Sequence, residues 1–355
     1  MHPNKAIVSF WIIFALAFST RGAVVTEAAA LPEPVRWVVM PSPTQEDLFA
    51  VDMVSDTNGW IAGARGTLLR FDGANWIPHA LPVTLTLTAL SMASSADGWA
   101  VGQDATQTRI LRWNGSVWND VATGPDLSQP ALTAVSAAPT GAVWVTGGTT
   151  YSFDGSPCGP TNLSCPYDGA YSWPSYWNGA TFTGTNADGF YLSTIEAYSA
   201  TLVFAAGFDG HIRAQPYAEV IARWNGTGWQ DEYMPRDAGP VNDLFIRTPS
   251  DGWAVGRDDI LHYNGADWSR APHAATPALH GVETTALDEG WAVGSAGTIV
   301  YWDGSAWQSQ ASPVTTNLTS LSLTAANRGW AVGSGGVILR LTTFSHNAYF
   351  PAILR

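Results

Sequence analysis

A short phrase that recurs seven times along the chain constrains the fold more than any other feature of the sequence. In each copy an aromatic residue is followed three residues later by glycine, and we call this the WxxG phrase. The copies begin at Trp60, Trp99, Trp144, Phe204, Trp253, Trp291 and Trp330. Their spacings are 39, 45, 60, 49, 38 and 39 residues. A period near 40 with alternating apolar residues is typical of one four-stranded blade of a β-propeller.

A second phrase follows each of the first six copies and predicts a hairpin within each unit. It consists of an aromatic residue, Asp or Asn, Gly, two further residues and then Trp or Phe, and we call it the Asx-Gly phrase. The copies begin at Phe71, Trp113, Trp177, Trp224, Tyr263 and Trp302. Such a pair between apolar segments favours a type I′ turn, which needs positive φ at both central residues.

Each unit is therefore predicted to hold four strands, A to D. Strand A resembles residues 87–92, strand B carries the WxxG phrase, strand C resembles residues 298–302, and strand D begins at the second aromatic of the Asx-Gly phrase. The recurring aromatic residues, which include sixteen of the 18 Trp, are predicted to fill the wedges between neighbouring blades.

The seventh unit lacks its last strand, and the N-terminal part of the chain supplies a candidate. After strand C of this unit, residues 337–341, no Asx-Gly phrase follows. Residues 37–43 (WVVMPSP) match residues 307–313 (WQSQASP) in length, leading Trp and closing Ser-Pro. We therefore predict an all-β, seven-bladed propeller over residues 31–343, with the ring closed by an N-terminal strand that completes the last blade.

The largest irregularity is an insertion between strands B and C of unit 3, residues 149–175. It contains both cysteines, Cys158 and Cys165, and Trp173, the one Trp after residue 30 that the repeat does not use. B–C and D–A connections leave a four-stranded blade on one face, which we call the B–C face. The insertion and a smaller irregular stretch of unit 4, residues 208–217, are therefore predicted to lie side by side there.

We expect the B–C face to bind a ligand, because loops on a rigid scaffold commonly carry binding residues. The candidates combine aromatic side chains of the insertion with charged side chains from units 4 and 5. They are Tyr171, Trp173, Tyr176, Asp209, His211, Arg213, Arg257, Asp258 and Asp259. Exposed aromatics rimmed by charge are typical of interaction sites. The alternative is that Trp173 folds back and covers its own insertion.

Residues 1–30 are predicted to be a signal peptide, with cleavage between residues 19 and 30. Lys5 precedes an apolar run, residues 6–18, that is shorter than the roughly 20 residues of a membrane span. We expect a secreted or cell-envelope protein without a stable membrane span; an uncleaved anchor is the alternative. In an exported chain, Cys158 and Cys165 are expected to form a disulfide. No role is assigned to the apolar C-terminal tail, residues 344–355.

Charge and motif content argue against several classes of function. The formal net charge is −13, from 16 basic and 29 acidic residues, and the only lysine is Lys5. A nucleic acid partner is therefore not expected. The seven histidines show no metal-ligand spacing, and the chain has neither a phosphate-binding glycine loop nor a Gly-x-Ser-x-Gly turn. We expect no cofactor, no metal and no catalytic residue.

The units, for example residues 290–307 (GWAVGSAGTIVYWDGSAW), resemble the repeats of the photosystem II assembly and stability factor family. The resemblance covers residues 35–342 and implies a seven-bladed propeller related to sialidase-type Asp-box repeats. It further implies a non-catalytic factor that binds a membrane-protein partner. All six turns here lack the family's second Gly. The Phe/Tyr-Arg-Ile-Pro motif of sialidases is also absent, and the nearest string is HIRA at residues 211–214.

The leading hypothesis is an exported, non-catalytic propeller, expected to be a monomer, that binds a protein or other macromolecule through its B–C face. The alternative is a lectin-like module that stacks polysaccharide on Tyr171, Trp173 and Tyr176. A third hypothesis is a glycoside-active enzyme, which would need two carboxylates facing one cleft.

Overall fold

The computed structural model describes most of the chain from residue 35 to residue 343. The described residues are 35–81, 85–104, 107–121, 131–152, 157–158, 167–172, 174–185, 187–188, 190–209, 219–233, 239–274 and 276–343. Only the backbone is described for residues 149–152, 157–158, 167–171, 188 and 209. The predicted signal peptide, Trp173, Cys165, His211, Arg213 and the C-terminal tail lie outside the described residues.

The described chain forms seven antiparallel sheets arranged as the blades of an all-β propeller. Strands are given in A-to-D order. Blade 1 contains β2 (Leu48–Ser55), β3 (Asn58–Gly63), β4 (Leu68–Phe71) and β5 (Trp76–Pro78). Blade 2 contains β6 (Thr86–Ser94), β7 (Asp97–Gln103), β8 (Thr108–Trp113) and β9 (Trp118–Val121). Blade 3 contains β10 (Ala131–Ala137), β11 (Val143–Ser152), β14 (Ser175–Trp177) and β15 (Phe182–Gly184).

The remaining blades follow the same order. Blade 4 contains β17 (Phe190–Ser199), β18 (Leu202–Asp209), β19 (Glu219–Trp224) and β20 (Trp229–Tyr233). Blade 5 contains β21 (Val241–Thr248), β22 (Asp251–Gly256), β23 (Ile260–Tyr263) and β24 (Trp268–Arg270). Blade 6 contains β25 (Leu279–Ala286), β26 (Glu289–Gly294), β27 (Ile299–Trp302) and β28 (Trp307–Ser309). Blade 7 contains β29 (Leu318–Ala325), β30 (Arg328–Gly333), β31 (Ile338–Thr343) and β1 (Val35–Val39).

The N-terminal strand β1 is strand D of blade 7, and its predicted pairing with the last blade is confirmed. β1 runs antiparallel to β31, with Trp37 opposite Leu341. The Trp37 side chain is buried, and its ring meets the Trp291 ring of blade 6 edge-on, with 5.6 Å between centroids. Trp37 thus occupies the place that Trp307 takes against Trp253 one blade earlier.

Aromatic side chains fill the wedges between blades, as predicted. In six of the seven WxxG phrases the aromatic residue packs against aromatic residues of strands C and D in the next blade, whereas Trp291 meets only Trp37 of strand D, because strand C of blade 7 has Leu341 there. In blades 1 and 2, for example, Trp60 lies 5.0 Å from Trp113 and 5.4 Å from Trp118 between ring centroids. Rings that meet edge-on attract each other beyond their buried area. The wedge between blades 7 and 1 repeats the pattern, because Trp330 packs on Phe71 and Trp76.

The glycine of the WxxG phrase is fixed by a close backbone approach at the start of the blade. A Cβ atom on Gly294 would lie 2.2 Å from the carbonyl oxygen of Ala278, the residue before strand A. The same conflict with the same backbone position recurs at all seven glycines, at 1.9 to 2.4 Å. Since real Cβ atoms do not approach an oxygen so closely, the repeat requires glycine here.

The Asx-Gly phrases form the predicted C–D hairpins, but the predicted type I′ turn is wrong. Only the glycines have positive φ, between 88° and 100°, and none of the preceding Asp or Asn residues does. In blade 1 the turn spans four residues. Asp72 Oδ1 accepts hydrogen bonds from the backbone N–H groups of Ala74 and Asn75, at 2.8 and 2.7 Å. The side chain therefore holds the turn, and one left-handed residue is enough.

Blade 3 carries three additional strands at one end of its sheet. The extra strands are β12 (Pro157–Cys158), β13 (Tyr167–Ser172) and β16 (Ala187–Asp188). β13, within the B–C insertion, pairs with the far end of β11 and also with β16, which lies in the D–A connection. The two kinds of connection therefore meet on one face, as predicted. No helix in the described part of the chain has the length and apolarity needed to cross a membrane.

Candidate functional site

Where the structure describes them, B–C turns of blades 1, 5, 6 and 7 are hydrogen-bonded to D–A connections. In blade 1 the B–C turn is a 3₁₀ segment, Ala64–Gly66; the N–H of Ala64 donates to the carbonyl of Asp47, and the N–H of Gly66 donates to the carbonyl of Leu85. Blade 6 has the equivalent segment Ser295–Gly297. A ligand on this face would meet a preformed surface.

A concavity of about 450 Å³ opens at the centre of the B–C face, and we call it the channel mouth. Its walls come from the first residues of strands A and from the adjacent turns. The lining residues are Phe49, Thr86, Thr88, Asn242, His280, Asn317, Thr319 and Ser334. Several lining side chains also tie one blade to the next; Thr319 Oγ1, for example, donates to the carbonyl of Leu48 at 2.6 Å.

His280 is the one titratable side chain among the lining residues of the channel mouth. Its Nε2 lies 2.8 Å from Ser295 Oγ, and its Nδ1 lies 3.4 Å from Asn242 Nδ2. Burial lowers the pKa of His280, so the ring is neutral at neutral pH. The mouth is therefore lined by polar side chains and the ring of Phe49 without a net charge, and both ring nitrogens of His280 are engaged within the protein.

The predicted charged residues of blade 5 lie at the rim of the same face. Arg257 and Asp258 are exposed in the B–C turn, and the Arg257 N–H donates to the carbonyl of Pro240 in the D–A connection. Asp259 forms an ion pair with Arg270 on strand D, with 3.0 Å between Asp259 Oδ2 and Arg270 Nε. Asp259 is thus paired within its own blade, whereas the charged side chains of Arg257 and Asp258 are exposed to solvent.

The predicted aromatic cluster is partly outside the described residues and is not brought together where it is described. The Tyr171 backbone pairs with Thr149, far along β11 from the WxxG phrase. Tyr176 lies on strand C opposite Trp144, and the two rings are 5.4 Å apart. Five residues of strand β11 separate Thr149 from Trp144, which corresponds to about 16 Å. Tyr176 therefore belongs to the wedge between blades 3 and 4.

The backbone of Asp209 ends strand B of blade 4, opposite Phe190, so this residue does reach the B–C face. The roles predicted for Trp173, His211 and Arg213 fall outside the described residues, as does the predicted disulfide partner Cys165. The binding role of the whole predicted set therefore remains a prediction.

Two features were missed by the sequence analysis, and the first is a cavity in the wedge between blades 3 and 4. It measures about 510 Å³ and is lined by Tyr176, Trp177 and Trp224 together with small and hydroxyl side chains. These three rings are only partly buried. The equivalent aromatic residues of the other wedges, such as Trp113 and Tyr263, are almost fully buried. In this wedge the strand C and D residues Trp224 and Trp229 are only partly buried, whereas Trp113 and Trp118 in the wedge between blades 1 and 2 are buried.

The second missed feature is a set of four carboxyl groups that face the central channel. Asp52, Glu196, Asp243 and Glu283 stand on strands A of blades 1, 4, 5 and 6 and line a cavity of about 340 Å³. Each strand A packs against the next, and strand A of blade 7 packs against that of blade 1. Asp52, Glu196 and Glu283 each pair with the WxxG aromatic residue of their own blade. Asp243 lies two residues before the corresponding position of blade 5.

These four side chains are partly accessible from the channel, but their position deep inside the ring disfavours the ionised form. It raises the pKa of Asp52 to about 6, that of Asp243 to about 7 and that of Glu196 to about 8. It also raises the pKa of Glu283 well above its ordinary value. The charges of neighbouring channel carboxylates raise the pKa of Glu196 and Glu283 further, while hydrogen bonds oppose the shift.

Among the described residues, no group of three or more His, Cys, Asp or Glu side chains has the arrangement of a metal site.

Comparison with known proteins places this architecture in the seven-bladed propellers. No family model matches the chain, and no curated protein sequence matches it. Solved structures do match over most of its length. One is described as YCF48 bound to D1 peptide, with 15% sequence identity and a TM-score of 0.61, covering 87% of this chain and 97% of that one.

Two further structures show the same similarity. YCF48 from Cyanidioschyzon merolae is 17% identical, with a TM-score of 0.60, and the match covers 86% of this chain and 98% of that one. The WD40 propeller domain of Doa1 is 12% identical, with a TM-score of 0.62, and the match covers 88% and 98%. The expected resemblance to a photosystem II assembly factor is confirmed at the level of the fold.

Proposed function

We propose that this chain is a non-catalytic binding propeller whose partner is a protein segment held on the B–C face, at the channel mouth and its charged rim. The export and cell-envelope location expected from the N-terminal sequence form part of the proposal. So does a monomeric state, in which this face is free for a partner.

The observation that carries the proposal is the channel mouth itself. It is a preformed concavity whose lining combines Thr and Asn side chains with the aromatic ring of Phe49. Backbone amides of an extended peptide need such donors and acceptors, and an aromatic contact supplies apolar burial. The fold neighbour described as bound to a D1 peptide supports the choice of a peptide ligand.

A tiled-peptide display library that covers the envelope and membrane proteins of the source organism tests the proposal. Peptides that bind the wild-type protein are measured again against Phe49→Ala and against the double variant Arg257→Ala, Asp258→Ala. We expect Phe49→Ala to weaken binding by at least about tenfold, because central aromatic contacts dominate interface energies. The rim variant removes one positive and one negative charge, so it should change the association rate and its salt dependence only slightly.

Leu287→Ser is the matched control, because Leu287 is 71% exposed in the A–B turn of blade 6, on the opposite face. It should leave the affinity unchanged. Peptides that bind the Phe49→Ala protein as tightly as the wild type, or that lose affinity only with Leu287→Ser, would contradict the proposal.

A lectin-like function is the second candidate, and the open wedge between blades 3 and 4 favours it. Partly exposed faces of Tyr176, Trp177 and Trp224 surround hydroxyl groups such as that of Thr183. Sugar rings bind through aromatic stacking together with hydrogen bonds. A glycan array with wild-type protein and Trp224→Ala separates the two functions: specific glycans lost in the variant would support the lectin, and an empty array would exclude it.

A further inference from the structure

The central channel joins the blades through side chains on strands A. At six of the seven junctions, an oxygen atom of one blade accepts the backbone N–H of the next strand A. In each pair the first residue donates its backbone N–H and the second accepts with its side-chain oxygen. The pairs are Met92 and Asp52, Ala137 and Ser91, Ala197 and Ser136, Val282 and Asp243, Leu323 and Glu283, and Met53 and Ser322. Three of these acceptors are hydroxyl groups and three are carboxyl groups.

The fourth channel carboxyl, Glu196, lies on strand A of blade 4, and its Oε2 accepts a hydrogen bond from Ser136 Oγ of blade 3 at 3.0 Å. Ser136 in turn accepts the N–H of Ala197, so Glu196 strengthens the junction between blades 3 and 4. The four carboxyl groups therefore take part in the junctions of blades 1 with 2, 3 with 4, 5 with 6, and 6 with 7.

No basic side chain balances these groups. The described lining of the channel cavity contains neither Arg nor Lys. Strands A of blades 2 and 7 contribute Ser91 and Ser322 to the lining, and blade 3 has Ser136 at the same strand position; none of these side chains titrates. His280 is the remaining titratable group, and burial lowers its pKa. Four like charges would therefore face one cavity of about 340 Å³ without a counter-charge if all four groups ionised.

We propose that the four channel carboxyls form a pH-sensitive latch between blades: neutral in the native ring at acidic pH, they join neighbouring strands A, and their joint ionisation in mild alkali loosens these junctions. A neutral carboxyl group still accepts a backbone N–H through its carbonyl oxygen. Once ionised, the groups repel one another across the channel. At Glu283, burial outweighs the hydrogen bond that favours the charged form, and the other channel carboxylates add repulsion.

The sign of the pH dependence follows from linkage. A carboxyl group with a raised native pKa stabilises the fold fully below its unfolded pKa, and that contribution is lost as the pH rises through the native value. For Glu196, a native pKa of about 8 against an ordinary 4.5 predicts that the unfolding equilibrium constant rises by more than about a hundredfold between about pH 5 and about pH 8.

Chemical denaturation at constant ionic strength between about pH 5 and about pH 8 tests the latch on three proteins. The first is the wild type, and the second is the triple variant Glu196→Gln, Asp243→Asn, Glu283→Gln, whose amides keep the acceptor oxygens. The third is a charge-matched control, Asp231→Asn, Asp267→Asn, Asp288→Asn, at exposed positions. The control removes the same number of charges and so corrects for general repulsion in an acidic protein.

We expect the unfolding equilibrium constant of the wild type and of the control to rise at least about a hundredfold over this range. In the triple variant, where only Asp52 remains, it should rise by about tenfold or less. Equal slopes in the wild type and the triple variant would overturn the proposal. If the triple variant does not fold, Glu196→Gln alone must still lower the slope.

A direct readout keeps the test independent of stability. At neutral pH the infrared spectrum of the wild type and of the control should contain the carbonyl band of protonated carboxylic acid, and the triple variant or Glu196→Gln should lose part of it. A wild-type protein without this band at neutral pH would show that the channel carboxyls are ionised, and the latch would be refuted.

Discussion

Replacing Trp37 with alanine tests whether the N-terminal strand is an integral part of the last blade. The Trp37 side chain is 4% exposed and lies in one apolar cluster with Trp291, Leu321 and Leu341. Truncation of a buried Trp costs about 3–5 kcal/mol, from lost apolar burial and from the cavity left behind. The edge-on contact with Trp291 would be lost as well.

This free energy corresponds to a fall in melting temperature of about 5–8 °C, because the entropy of unfolding scales with chain length. Val39→Ala is the control, since Val39 is on the same strand but is 54% exposed. It should change the free energy of unfolding by less than about 1 kcal/mol. The assay is denaturant unfolding followed by Trp fluorescence and circular dichroism. If Trp37→Ala is as stable as Val39→Ala, strand β1 does not hold the blade and the reasoning fails.

Further predictions concern the repeat and the insertion. Gly294→Ala should lower the free energy of unfolding by about 1–3 kcal/mol or more, since its Cβ would lie 2.2 Å from a backbone carbonyl, whereas Gly228→Ala, with open space around it, should not. Hydrogen bonds within its turn lower the pKa of Asp303 to about 2, so the difference in melting temperature between the wild type and Asp303→Ala should be present above about pH 4 and shrink as the pH falls toward 2. Cys158 and Cys165 should resist thiol reagents until reductant is added, and two free thiols in protein isolated without reductant would exclude the disulfide.

The fold could be predicted from the sequence because the residues that repeat are those that the architecture cannot vary. The WxxG aromatic must fill a wedge, and its glycine must admit a backbone carbonyl, so both recur at each blade and can be counted. The match between residues 37–43 and residues 307–313 was visible for the same reason. Trp37 meets Trp291 just as Trp307 meets Trp253, and equal surroundings select equal residues.

The turn type was not predictable from the dipeptide alone. An Asn-Gly pair favours positive φ at both residues when it must reverse the chain by itself. Here the Asn114 side chain accepts the N–H groups of Ser116 and Val117, and the loop is two residues longer than a minimal hairpin. The second aromatic residue, Trp118, begins strand D only after those residues. The turn type is therefore indicated by the number of residues between the two aromatic residues and not by the Asn-Gly pair alone.

The candidate site was predicted only in part, because its residues are defined by position and not by repetition. Tyr176 follows the insertion directly in sequence, yet strand C has already begun at Ser175, and pairing with Trp144 carries its ring to the opposite end of the blade. The channel carboxyl groups were not predicted from the sequence for a different reason. Asp243 is displaced by two residues from the position of Glu196 and Glu283, where blade 5 has Phe245, so the acidic pattern is broken in the sequence.

Some positions of the repeat hold nearly the same residue in every blade, whereas others vary, and the varying positions are the ones that can distinguish this propeller from others of the same fold. The wedge and turn positions are nearly uniform, so their variation carries little information about function. The strand A position that faces the channel is instead a hydroxyl in blades 2, 3 and 7 and a carboxyl in blades 1, 4 and 6. A serine would make the same inter-blade hydrogen bond without the burial penalty of a carboxyl group. Because the acidic side chains replace an acceptor that would already join the blades, we expect their distinguishing effect to come from titration, and the pH dependence of stability separates that effect from simple closure of the ring.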